Sequence, residues 1–174
     1  MMGGIGLAAV LIHCLGGSLI LGFNSGFTNF ASRAFGAKNK QRYYQYFIQG
    51  FINLAALLTF FLFVGMMSYR LAIATGQQED ISLYSYQTIM YLMPGLVCFY
   101  TSDFIRNCLN SQLIFKPILY VFGFCIGVHI VLSIMISGPY GFNGIMISTN
   151  LTFLILLISM LYIERKYSTY KISS

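Results

Sequence analysis

From Pro117 to Ile163 the chain runs for 47 residues without an Asp, Glu, Lys or Arg. A single helix of that length would be far longer than the apolar part of a bilayer, at about 1.5 Å per residue against about 30 Å of hydrocarbon. The run must therefore turn back on itself. The stretch 137–144, SGPYGFNG, holds three Gly and one Pro and marks the reversal. Three further charge-free stretches, 1–32, 43–69 and 81–102, are separated by short charged segments. Only 8% of the residues are charged, where a soluble domain carries about 25%. A soluble enzyme, a disordered tail and a disulfide-stapled secreted module are all excluded. The expected fold is all-α, a single polytopic transmembrane bundle over residues 1–174. Its five spanning helices are predicted at about 5–34, 43–70, 80–107, 113–136 and 142–164. An open sheet would leave unpaired edges in lipid, and the alternation of a transmembrane barrel is absent.

The few charges set the orientation. With five helices, Arg33, Lys38, Lys40, Arg42, Arg106, Lys116, Arg165, Lys166 and Lys171 fall on one side and Arg70 alone on the other. Cytoplasmic loops retain Lys and Arg, so the C-terminus is expected in the cytoplasm and the N-terminus outside. This asymmetry accounts for the net charge of +6 without nucleic acid. The N-terminal apolar run has no basic residues before it, so it reads as a spanning helix rather than a signal peptide. An outside N-terminus would follow naturally if one more helix preceded Met1. Thirteen Tyr suit the membrane–water boundary. Cys14, Cys98, Cys108 and Cys125 form no CxxC pair and read as small apolar residues; no metal or cofactor is expected. No P-loop, GxGxxG, HExxH or GxSxG is present, so the sequence supports no enzyme. Asn150-Leu-Thr152 fits a glycosylation sequon but lies inside the last predicted helix, where modification is not expected.

Asp103 is the acid that lies away from loops and termini. Intramembrane charge is costly and points to function by default, as an attractor of cations or a proton carrier. The alternative is pairing with Arg106 one turn on. Asn24, Ser25, Thr28 and Asn29 form a polar run in which Asn24 and Thr28 share one face and Ser25 and Asn29 another. They read either as cavity lining or as hydrogen-bonding glue between helices. Gln49 and Asn53, one turn apart, are expected to face a common interior. His129, mid-helix, reads as a proton handler or as a hydrogen-bonded packing residue. Gly22-x-x-x-Gly26 and Gly123-x-x-x-Gly127 permit close helix approach.

Several segments resemble the multidrug and toxic compound extrusion (MATE) transporters. Ala34, Phe35, Gly36, Ala37 and Lys38 are similar to the end of that family's second helix. GQQEDI, 76–81, is similar to its GQ-x-x-x-I. PGLVCFYTSDFIRNCLNSQLIFKP, 94–117, resembles PGL…R-x-x-L-x-x-Q-x-x-x-x-P without gaps at Pro94, Gly95, Leu96, Arg106, Leu109, Gln112 and Pro117. His129 with Leu132 and Ser133 resembles HIPL(S/C) of the eukaryotic branch, and Gly141 with Gly144 resembles the opening of the family's sixth helix. The resemblance implies helices two to six of an N-terminal six-helix lobe, without the first helix or the second lobe. In it Gly36, Pro94, Gly95, Arg106, Gln112, Pro117, Gly141 and Gly144 are structural, and Gln112 braces a cytoplasmic loop.

The function the resemblance implies is antiport, by the chain or by a transporter of which it is a fragment. Organic, preferably cationic, compounds would be exported in exchange for H+ or Na+ across a plasma or vacuolar-type membrane. Candidate pathway residues are Asn24, Thr28, Asn29, Gln49, Asn53, Asp103, His129 and Thr149. The chain departs from the family where its acids are expected. Thr28 replaces an acid and Arg33 a Gln, and Ile126 and Ile130 stand where a coupling Asn and Asp are found. Thr149 retains a matching hydroxyl. A truncated, transport-inactive membrane interaction protein is therefore the second reading, and a channel or scaffold outside the family the third.

Overall fold

A computed structural model describes residues 2–170. Lys171, counted above among the basic residues, lies outside them. The described residues are helical almost throughout. They form α1 (Met2–Ile12), a π-helical turn (His13–Gly17), α2 (Ser18–Gly36), α3 (Lys40–Met66), α4 (Ser68–Ala74), α5 (Glu79–Ser111) and α6 (Lys116–Tyr167). No strand occurs among them.

The segment predicted at 5–34 is α1, the π turn and α2 in succession, with helical dihedrals interrupted at Gly16. A three-residue turn leads into α3, whose first backbone groups are capped by Asn39: its Oδ1 accepts from the Arg42 N–H at 3.0 Å. The predicted 43–70 segment divides at Met67, and the last part becomes the separate short helix α4. The predicted helices 113–136, less its first three residues, and 142–164 both lie within α6, which is interrupted at Gly141 (φ 54°, ψ −130°). That backbone region suits glycine, and Pro139 just before it removes a helical donor. The chain reverses there. Ser133 bonds Ser148 and His129 bonds Thr152, so residues equidistant from the break face each other. α6 is thus a hairpin with arms 116–140 and 141–167.

α5 lies at the centre and packs against α1, α2, α3, α4 and α6. One apolar cluster, including Ile20, Phe27, Leu54, Phe61, Met93 and Phe104, joins it to α1–α3. A second, including Leu109, Ile118, Leu156 and Met160, joins it to both arms of α6. Three helices, α3, α5 and α6, are long and apolar enough to cross a membrane. The least apolar of them, α5, is the one surrounded by protein.

Candidate functional site

α2 presents a buried seam, Ile20, Asn24, Phe27, Ala31 and Ala34, at alternating spacings of four and three. Four of these are apolar and pack. Asn24, wholly buried, meets α5 at Asp103. The carboxylate gathers three donors. Asn24 Nδ2 reaches Oδ2 at 2.9 Å, Asn107 Nδ2 reaches Oδ2 at 3.1 Å, and Arg106 Nη2 donates to Oδ1. Asn24 also donates to the Tyr100 carbonyl at 3.3 Å. Thr28, one turn further along α2, donates to Asn107 Oδ1 at 3.1 Å. A charge in an apolar interior is tolerable only when paired and hydrogen-bonded, and these partners supply that requirement. Arg106 keeps about a third of its side chain exposed and lies 6.0 Å from the Phe122 ring of α6. Asn24 Oδ1 and Arg106 Nε are buried without a protein partner. The cluster can hold a negative charge in place and offers one spare acceptor beside it.

A second polar junction sits at the Pro94 kink. Proline lacks an N–H and disturbs the helical ladder around it. Here the amide of Asn150 from the second arm of α6 bonds both the Gly95 N–H and the Tyr91 carbonyl, one turn apart on α5. Its Oδ1 accepts from Gly95 N–H at 2.7 Å and its Nδ2 donates to the Tyr91 carbonyl at 2.7 Å. A Cβ on residue 95 would collide with Asn150 Oδ1 and come 3.1 Å from its Cα, so glycine is what permits the insertion.

Within the α6 hairpin, Thr152 donates to the Ser148 carbonyl (2.8 Å), so its oxygen accepts from His129 Nδ1–H at 3.1 Å. This places the ring proton on Nδ1. Ser148 likewise donates to the Ile145 carbonyl, and Ser133 donates to Ser148 Oγ at 3.1 Å.

At the end bearing most of the basic residues, Gln112 joins three segments. Its Nε2 donates to the Tyr43 hydroxyl of α3 at 2.9 Å. Its Oε1 accepts from Ser168 Oγ at 3.0 Å and from the Thr169 and Tyr170 N–H groups at 2.8 and 3.2 Å. Tyr43 donates to the Cys108 carbonyl at 3.2 Å, and its ring lies 5.3 Å from that of Tyr170.

The candidate residues do not form one site. Asn24, Thr28, Asp103 and Arg106 converge, and His129 belongs to the hairpin ladder. Asn29, Gln49 and Asn53 are exposed. Gln49 and Asn53 share a face, as their spacing predicts, and both line an open groove of about 390 Å³ between α2 and α3, walled by Phe23, Phe27, Phe30 and Tyr46. Their one-turn spacing fixed a shared face, but α3 presents a different face to α5. Thr149 lines a cavity of about 340 Å³ between α1, α5 and the second arm of α6. Gly36 is exposed at the end of α2, Pro117 opens α6, and Gly144 packs against the Ile136 carbonyl across the hairpin. Asn107, Tyr43 and Asn150 were not singled out from sequence as site residues. Asn107 lies one turn from Asp103, a spacing that could have found it. Glu164 closes α6 and yet is buried, 3% exposed, so Asp103 is not alone as a buried acid.

Polar groups turned inward around α5, with apolar faces outward on α3 and α6, define an all-α integral membrane protein. The MatE family model matches residues 1–135 of the 174, and the chain belongs to the MATE family. It is 24% identical over 143 residues to Protein DETOXIFICATION 56 of Arabidopsis thaliana. That similarity covers 82% of this chain and 29% of the relative, so the chain spans less than a third of the protein it matches.

Proposed function

We propose that the chain acts in MATE-type antiport, moving organic cations against H+ or Na+ as a component of the transporting unit. It crosses the membrane five times with a cytoplasmic C-terminus. The observation that carries this reading is the cavity beside α5 in a chain of this family. Phe99, Tyr100 and Phe153 line it, with the Phe99 and Phe153 rings packed against each other at 5.0 Å between centres. Aromatic faces bind delocalised cations without a fixed counter-charge. Thr88 and Thr149 add hydroxyls to the same wall. Asp103, whose carboxylate is already held by Arg106, Asn24 and Asn107, fixes α2 against α5 rather than meeting substrate. Membrane insertion and MATE membership support the proposal.

The test is uptake of a fluorescent organic cation into proteoliposomes holding the chain, under an imposed H+ or Na+ gradient. Gradient-driven uptake with a raised KM in Phe153→Ala supports antiport by the chain itself. The second reading, a transport-inactive interaction protein, is favoured by one observation: no carboxylate lines the cavity. Cation binding without gradient-driven uptake would support that reading.

A further inference from the structure

The two arms of α6 enclose a groove of about 460 Å³ at the end of the hairpin remote from Gly141. Its walls are mainly apolar and aromatic, with Pro117, Tyr120 and Val121 on one arm and Ile158, Tyr162 and Tyr167 on the other. Tyr120 and Tyr162 are among the most exposed aromatics of the chain, at 78% and 61%. One end of the groove is strongly basic. Lys116 immediately precedes Pro117 of one wall, and Arg165 follows Ile163 of the other wall by two residues. The Lys166 ammonium lies 5.7 and 5.3 Å from the Tyr162 and Tyr167 ring centres, so it stands at the mouth. All three cations are exposed. The acid nearest in sequence, Glu164, is buried and turned inward. Arg33, Lys38, Lys40 and Arg42 are exposed on the α2–α3 turn, which Gln112 ties through Tyr43 to the segment following α6. Among the described residues this end of the bundle carries exposed cations and no exposed acid.

We propose that this groove is a binding site for an anionic phospholipid, one acyl chain lying between the arms and the phosphate meeting Lys116, Arg165 and Lys166. Charge complementarity decides the occupant. An apolar trough alone would accept any lipid tail, but three exposed cations at its mouth, with no exposed acid beside them among the described residues, select a negative headgroup. The tyrosines suit the position, since their rings line the trough while their hydroxyls reach the headgroup level. The site depends on insertion in a membrane and not on transport, so it stands or falls apart from the antiport reading.

The test uses the full chain purified from membranes, incubated with phosphatidylserine or phosphatidylcholine and examined by native mass spectrometry for retained lipid. Preferential retention of a single phosphatidylserine is expected. Lys116→Gln with Lys166→Gln should weaken it about thirtyfold, from the contribution of two cations near an anionic lipid. Ser159→Phe, which puts a ring into the groove wall, should abolish retention of phosphatidylserine with all the basic residues in place. Lys38→Gln with Lys40→Gln, on the neighbouring turn, should change it less than about twofold, because neither flanks a residue of the groove and solvent screens exposed charges. Equal retention of both lipids would overturn the proposal. So would an equal loss in the Lys38 and Lys40 variant, which would mean a diffuse basic surface, or displacement by soluble glycerophosphoserine, which would mean that the groove holds no acyl chain.

Discussion

In the most apolar stretch of α5, 56% of the residues are buried inside the protein, against 11% in α6. α5 carries one buried acid, two asparagines and a series of serines and threonines, many bonded back to a carbonyl of the preceding turn. α6 is strongly apolar and packs chiefly on α5. The contrast is the reverse of a soluble protein's: the polar helix is hidden and the apolar one exposed. Lipid solvates α6 at no cost but cannot satisfy a carboxylate. Stability in α5 therefore rests on a few polar contacts, whereas much of α6 is interchangeable apolar surface.

Substitutions graded by this contrast should give graded losses, measured as thermal melting in detergent with a thiol-reactive fluorophore reporting exposure of the buried Cys108 and Cys125. The largest is expected for Asp103→Ala, which leaves three donors facing an empty place and should cost about 3–5 kcal/mol. Asn150→Ala removes the hydrogen bonds to the Gly95 N–H and the Tyr91 carbonyl, a loss of about 1–2 kcal/mol. Gly95→Ala should match it by pushing Asn150 out, and the double variant should cost little more than either single one, since both remove one junction. Thr152→Val, within the α6 ladder, should cost about 0.6 kcal/mol, typical of a hydrogen bond between membrane helices. Ile130→Leu, on the exposed face of the first arm, should stay within about 0.5 kcal/mol. A melt in which Ile130→Leu fell as far as Asp103→Ala would break the contrast.

The all-α membrane class was legible because it follows from where charge is missing. The reversal near Gly141 was legible for the same reason, together with the break in SGPYGFNG. Local pairs were legible too: Asp103 and Arg106 lie one turn apart, and Asn24 and Thr28 share a face by helical spacing. What spacing could not supply was which face of each helix meets its neighbour. Gln49 and Asn53 have the same spacing as Asn24 and Thr28 and end up exposed. Asn150 was hidden differently. Its neighbours form a sequon, and its role depends on a kink 55 residues earlier, a contact that only the tertiary fold creates. Glu164 looked like a solvated helix end because its burial comes from tertiary packing that its local sequence does not show.

The Asn150 insertion also bears on the order in which the chain can be made. The side chain that bonds Gly95 N–H is synthesised 55 residues after it. This junction between α5 and the second arm of α6 therefore forms only once that arm has been made, so the two elements meet late even though α5 is central to the fold.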